Sequence, residues 1–112
     1  MVKRFVPGRG DLVWLNFRPQ AGHEQAGHRP ALVLSPAPYN DKTGLMLCCP
    51  ITSQVKGYPF EVLLSPDAPV RGAVLSDQLR SVDWRARKAK RAGVAGDDVV
   101  AHVLARARAL LD

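Results

Sequence analysis

The sequence reads Asp11-Leu12-Val13-Trp14-Leu15-Asn16-Phe17 near its start, a β-rich run that is largely apolar on both faces. Short apolar runs follow at residues 31–35, 45–50, 60–64 and 73–75, and another at 79–84. Turn residues separate them, and the turn at 40–44 makes 31–35 and 45–50 a hairpin pair with a long connection. Short strands at intervals of about ten residues predict a small barrel or sandwich.

The end of the chain has a different periodicity. Apolar residues recur there at three- and four-residue spacing, at Val99, Val100, Val103, Leu104, Ala107, Leu110 and Leu111. This spacing predicts an amphipathic helix, with Asp97 and Asp98 at the end where acids favour the helix dipole. We therefore expect a mainly β protein with a C-terminal helix (α+β), organised as one domain over residues 1–112.

Charge gives the first functional indication. The 112 residues carry 16 Lys and Arg against 10 Asp and Glu, a net charge of +6. Residues 80–91 alone hold six bases and one acid. A polyanionic partner is the natural inference, and a merely solvated basic surface is the alternative. The first residues lack the apolar core of a signal peptide, and no apolar run is long enough for a membrane helix, so we expect a cytoplasmic protein.

The two cysteines, Cys48 and Cys49, are adjacent. Neighbouring side chains of a strand point to opposite faces, so we expect two reduced, packing thiols rather than a disulfide. Their spacing does not suit a metal site, and the three histidines at 23, 28 and 102 form no ligand set. We expect neither a metal nor a cofactor.

Residues 18–30 show no strand or helix pattern and form a long polar loop in this interpretation. The loop carries His23, Glu24, His28 and Arg29. Cleaving RNA without a metal requires a base for the 2′-hydroxyl, a donor for the leaving 5′-oxygen and positive charge at the phosphate. Glu24, one of the two histidines and Arg29 have the chemistry for these roles, while ordinary solvated loop charges remain the alternative.

The chain resembles the MazF/PemK family, the mRNA interferase toxins of type II toxin–antitoxin systems, and it is most similar to the MazF branch. The resemblance begins with Arg4-Phe5-Val6-Pro7 and Gly10-Asp11-Leu12 and is strongest in Glu24-Gln25-Ala26-Gly27-His28-Arg29-Pro30-Ala31. It continues through Val33-Leu34-Ser35-Pro36, Tyr39-Asn40, Lys42-Thr43-Gly44, Pro50, Thr52, Gln54, Lys56-Gly57-Tyr58-Pro59-Phe60-Glu61-Val62, Asp77-Gln78 and Trp84-Arg85-Ala86-Arg87. Asn16 and Arg18 depart from it, because close relatives often have acids there.

The resemblance implies an SH3-like β-barrel, a homodimer and an endoribonuclease that blocks translation. Such enzymes cleave single-stranded mRNA at a short motif without a metal, leaving 2′,3′-cyclic phosphate and 5′-hydroxyl ends. A MazE-like antitoxin with an acidic, disordered tail neutralises them. Carried over to this chain, the catalytic residues are Arg29, Thr52 and Glu24. The residues expected to bind RNA are His28, Gln54, Lys56, Gln78, Arg80, Arg85 and Arg87.

Two other function classes remain open at this point. A CcdB-like gyrase poison without nuclease activity has a similar fold, but it depends on a Trp-Gly-Ile-type C-terminus. This chain instead ends Ala109-Leu110-Leu111-Asp112. An RNA-binding barrel without catalytic activity is the other class.

Overall fold

One bent antiparallel sheet organises the molecule. The computed structural model describes residues 5–17 and 28–112. In chain order its elements are β1 (Asp11–Asn16), β2 (His28–Val33), α1 (Ala37–Thr43), β3 (Leu45–Thr52), β4 (Glu61–Leu63), β5 (Ala73–Leu75), a 3-10 turn (Ser76–Gln78), β6 (Arg80–Asp83), β7 (Lys90–Val94) and α2 (Asp97–Ala109). The prediction of a mainly β fold with a C-terminal helix is confirmed.

Strand β3 is the centre of the sheet. The strand order is β4-β5-β3-β2-β1-β7, and β6 pairs with β3 as well. The first half of β3 pairs with β6 from Leu45 to Cys48, and its last two residues pair with β5. Strand β2 runs along its other edge, as the predicted hairpin pair requires. In the described part of the chain the outer strands β4 and β7 do not pair, so the sheet is bent like a barrel but not closed.

The sheet separates two hydrophobic cores, and neighbouring residues on one strand contribute to different cores. Leu12 and Cys49 belong to the first core, which α2 covers with Val99 and Val103. Val13 and Cys48 belong to the second core, together with residues such as Phe17, Met46 and Trp84. Because β2 and β3 are buried on both faces where they pair, residues 31–33 and 48–51 are apolar throughout rather than alternating.

The two cysteines are buried and free, as predicted. Burial raises the pKa of the Cys48 thiol to about 12, against a smaller opposing effect of Arg80 and Arg87. Burial also raises the pKa of Cys49 to about 12, with smaller contributions from Cys48 and Asp77. Since the thiolate is the reactive form, both side chains are packing groups at neutral pH.

Three elements differ from the prediction. The expected turn at 40–44 is the end of helix α1, which accommodates Pro38 because a first-turn residue needs no backbone N–H. Strand β2 begins at His28, so the last residues of the predicted 18–30 loop are in the sheet. Strand β7 was not predicted, because Lys-Arg-Ala-Gly-Val is half polar and only partly buried.

A close backbone approach holds the end of β3 in place. Gly72 has φ +120 and precedes β5, and a Cβ at this position would overlap the carbonyl group of Thr52. The missing side chain lets the start of β5 pack directly on the end of β3. Thr52 is thereby fixed at a corner where the sheet turns from β2 towards β5.

Candidate active site

The strand register brings two of the predicted catalytic residues towards each other. Strands β2 and β3 pair as Ala31 with Pro50, Leu32 with Cys49 and Val33 with Cys48. Arg29 and Thr52 each lie within their strand, two residues beyond this paired segment. The two residues are therefore at neighbouring ends of β2 and β3.

Thr52 is held tightly. Its side chain is buried, and its hydroxyl oxygen accepts a hydrogen bond from the backbone N–H of Gln54 at 3.1 Å. This bond uses an acceptor lone pair, and a hydroxyl keeps its own proton for donation. The arrangement leaves Thr52 able to donate to an anionic oxygen.

Arg29 lines an open groove of about 590 Å³ between the β1–β2 end of the sheet and the β4–β5 connection. We call this the arginine groove; its lining is Trp14, His28, Arg29, Pro30, Ile51, Ser53, Pro69, Val70 and Arg71. The rings of Trp14 and His28 stack with centroids 5.7 Å apart. The predicted residues His28 and Arg29 therefore share one surface.

Trp14 and Arg71 also line this groove, but the sequence analysis did not select them. Trp14 is 37% exposed, although its neighbours Val13 and Leu15 are fully buried. The exposed position of a largely apolar strand cannot be recognised from its sequence, because it depends on how the strand is placed in the sheet. Arg71 is a single arginine in the connection between β4 and β5, and it is not part of a recognisable motif.

Thr52 lines a second groove of about 440 Å³ next to the first. We call this the threonine groove; its lining is Thr52, Gln54, Lys56, Tyr58, Phe60, Glu61, Leu75, Asp77 and Gln78. It brings together four residues that the sequence analysis selected, namely Thr52, Gln54, Lys56 and Gln78. Ser53, the next residue along the chain, faces the arginine groove, so the two grooves meet at this corner.

The connection between β3 and β4, residues 53–60, is held by a carboxylate. Glu61 accepts hydrogen bonds from the backbone N–H of Lys56 at 3.1 Å and of Gly57 at 2.8 Å. The N–H of Glu61 itself donates to the carbonyl of Tyr58 at 3.0 Å. From helix α2, Arg106 donates to the carbonyl of Pro59 at 3.0 Å. Neither Glu61 nor Arg106 is among the predicted site residues.

Three predicted RNA-binding arginines line neither groove. The Arg80 guanidinium lies 5.6 Å from the centre of the Phe17 ring, and Arg87 donates to the carbonyl of Asn16 at 3.0 Å. Both therefore surround the end of β1. Arg85 lies over the Trp84 ring at 4.5 Å and pairs with Asp41 of α1 at 3.6 Å.

The predicted base Glu24 lies outside the described residues. Within residues 5–17 and 28–112, no three His, Cys, Asp or Glu side chains are grouped to hold a metal ion. In the same part of the chain, no helix has the length and apolar character needed to cross a membrane.

Comparison with known proteins identifies the family. Residues 8–111 match the model of the PemK-like, MazF-like toxins of type II toxin–antitoxin systems. The chain is 50% identical to the endoribonuclease toxin MazF of Escherichia coli (strain K12) over 111 residues, covering 99% of each protein. It is 42% identical to the endoribonuclease toxin ChpB of the same strain over 118 residues, covering both proteins completely.

Solved structures agree with this assignment. The crystal structure of MazF from Deinococcus radiodurans matches with a TM-score of 0.94 at 58% identity, covering 96% of this chain and 98% of that one. A MazE–MazF complex from the same organism matches with a TM-score of 0.86 at 52% identity, covering 96% and 97%. These relatives contradict the alternative of a CcdB-like gyrase poison. The chain belongs to the PemK-like, MazF-like toxin family of type II toxin–antitoxin systems.

Proposed function

We propose that this endoribonuclease toxin cleaves single-stranded mRNA at a short sequence motif and thereby stops translation. Cleavage proceeds without a metal and leaves a 2′,3′-cyclic phosphate and a 5′-hydroxyl. The observation that carries the proposal is that Arg29 and Thr52 lie at neighbouring ends of β2 and β3 and line two grooves that meet there.

The chemistry follows from the two side chains. The RNA 2′-oxygen attacks the adjacent phosphorus, its proton goes to a base, and the 5′-oxygen leaves with a proton. Charge grows on the phosphate oxygens in between. Arg29 offers a planar pair of N–H donors that matches two of these oxygens, and Thr52 offers one O–H. We assign the base to Glu24, following the family resemblance.

The rest of the substrate follows the grooves. Gln54, Lys56 and Gln78 in the threonine groove and His28 in the arginine groove supply polar and cationic contacts to the bases and backbone. Arg80, Arg85 and Arg87 extend the positive charge beyond them. Single-stranded nucleic acid sites combine such a charged track with aromatic surfaces.

The partners we propose are a MazE-like antitoxin with an acidic tail and a second copy of this chain. The net charge of +6 suits an acidic segment, and MazE–MazF complexes occur among similar structures. An apolar groove of about 340 Å³ beside α1, β3 and α2 supports self-association. It includes Leu47, which is 38% exposed, and Leu111, which is 84% exposed. The bacterial cytoplasm is the compartment we propose, where two free thiols stay reduced.

Substituting Arg29 tests the mechanism. Arg29→Ala removes both donors and the charge, so we expect a loss of at least about a hundredfold in kcat. Arg29→Lys keeps the charge but lacks the planar pair, so it should bind RNA almost normally and cleave far more slowly. Arg91→Lys, on the exposed strand β7, is the matched control and should keep wild-type kcat.

The assay uses purified protein in excess EDTA, with product ends analysed for cyclic phosphate. Near wild-type cleavage by Arg29→Lys would show that a point charge is sufficient. Full activity of Arg29→Ala would remove Arg29 from the mechanism. Activity that disappears with EDTA and returns with magnesium would overturn metal-free cleavage.

A further inference from the structure

Tyr58 is an exposed aromatic residue in the threonine groove that the mechanism above does not use. It lies between β3 and β4 and is 61% exposed beside a row of polar side chains. In proteins that bind single-stranded nucleic acid, exposed aromatic rings serve as stacking surfaces for unpaired bases. The Tyr58 ring is therefore placed to stack on a ligand with a flat face.

The backbone around Tyr58 is fixed before any ligand binds. On one side, the carboxylate of Glu61 holds the N–H groups of Lys56 and Gly57. On the other, Arg106 holds the carbonyl of Pro59, and the carbonyl of Tyr58 accepts the N–H of Glu61. A surface ordered in advance binds its ligand without a further entropy cost for the loop. The exposed ring is thus presented by a rigid support.

The charges near the ring suit a nucleic acid. The ammonium group of Lys56 lies 5.9 Å from the centre of the Tyr58 ring, within the range of a cation–π contact. Because the ammonium group lies over one face of the ring, a base would stack on the other face while Lys56 contacts a phosphate. Gln54 and Gln78 line the same groove, and their amides can donate to and accept from a base edge.

We propose that Tyr58 is a substrate-binding residue that stacks on one base of the RNA, in the threonine groove next to the phosphate held by Thr52. This inference rests on the proposed endoribonuclease function and adds to it the contact that holds a flanking nucleotide. Stacking on a ring depends on its face and not on the tyrosine hydroxyl.

The test uses RNA oligonucleotides in which 2-aminopurine replaces single bases around the cleavage site, with a 2′-deoxy nucleotide at that site to prevent cleavage. Fluorescence quenching on binding reports stacking. We expect strong quenching at one position with wild-type protein and with Tyr58→Phe. Tyr58→Leu should lose that quenching and weaken binding by about 5- to 150-fold, the range for one base–aromatic stack. On cleavable RNA, KM should rise while kcat changes little.

Leu63→Ala is the matched control, because Leu63 on β4 is 64% exposed and lines neither groove. It should match wild type in every measurement. The proposal is overturned if Tyr58→Leu keeps the quenching, or if Tyr58→Phe is as defective as Tyr58→Leu. It is also overturned if Tyr58→Leu weakens the binding of the antitoxin but leaves the binding of RNA unchanged. A failure of the proposed function can be distinguished from a failure of the stacking proposal, because wild-type protein would then not cleave RNA at all.

Discussion

Cys48 and Cys49 show how neighbouring residues of one strand pack into different hydrophobic cores. They are adjacent on β3, yet one belongs to each hydrophobic core. Burial favours the neutral thiol, so the pKa of each lies near 12 in the folded protein and near 9.0 in a solvated one. The two thiols therefore couple folding to pH in the alkaline range.

Raising the pH above about 9 should destabilise the fold through these thiols. The unfolded chain releases their protons first, so their contribution is complete below the unfolded pKa and is lost as the pH rises towards the folded value. Each thiol should lower the free energy of unfolding by up to about 1.4 kcal/mol per pH unit in that window, with about half of this slope at pH 9. Urea unfolding between pH 8 and pH 10 measures the slope.

The control for this slope is the double variant Cys48→Ala/Cys49→Ala. It should be less stable than wild type at pH 8, because both truncations leave space in a packed core. Its stability should nevertheless fall less steeply between pH 9 and pH 10, since it lacks the two titrating groups. Parallel pH curves for the two proteins would contradict the interpretation.

At the scale of elements, the connection between β3 and β4 depends on one carboxylate. Replacing Glu61 by Ala removes the acceptor for two backbone N–H groups and should raise the hydrogen-exchange rates of Lys56 and Gly57. We expect KM for RNA to rise about tenfold with a smaller change in kcat, because Thr52 is fixed separately and the loop carries binding groups.

Glu61→Gln should restore much of the affinity, since its amide oxygen can still accept one of these bonds. Asp67→Ala in the next turn is the control and should leave both constants unchanged. An unchanged KM for Glu61→Ala, despite faster exchange at Lys56, would show that the order of this loop has no part in RNA binding.

The sequence predicts best the elements that have a strong hydrophobic pattern. Strands β1 and β3 are largely apolar and contribute to both cores, whereas helix α2 has apolar residues at three- and four-residue spacing, of which Val99, Val103 and Ala107 are buried. Helix α1 escaped prediction because Pro36, Pro38 and Gly44 are equally typical of turns. Its anchor is the buried Asn40, whose side-chain amide donates to the carbonyls of Pro7 and Ser35. Such a tertiary contact has no local signal.

The candidate site was predictable by residue type but not by arrangement. Arg29 and Thr52 are recognisable from the family resemblance, whereas their approach depends on the register of two strands. A shift of one residue in that register would turn one of them to the other face of the sheet. Glu61 and Arg106 were not predictable as supports of the groove, because both bind backbone atoms rather than side chains, and Arg106 does so in a segment far away in sequence.

At the scale of the whole molecule, the apolar groove beside α2 should govern the oligomeric state. We expect wild-type protein to sediment as a dimer, and Leu111→Glu to shift it towards the monomer by placing a charge on that surface. Leu111 is 84% exposed, so the substitution should not affect the fold. Leu47→Glu should have the same effect from the β3 side of the groove.

Analytical ultracentrifugation across a concentration series measures this equilibrium. Leu63→Glu is the control, because it adds the same charge at an exposed position outside the apolar groove. If both Leu111→Glu and Leu47→Glu remain dimeric, the interface lies on another surface. A monomeric wild-type protein would refute self-association itself.

The central place of β3 also affects the order in which the site can form during synthesis. Its partner β2 leaves the ribosome before it together with β1, whereas its partners β5 and β6 follow it and β7 must return to β1. Such long-range pairings form late, because the intervening chain must be closed into loops first. A nascent chain that has not reached Gly72 has Arg29 and Thr52 but lacks the backbone that fixes Thr52. Gln78 is the last residue that lines either groove, so a nascent chain shorter than this has neither groove in its final form.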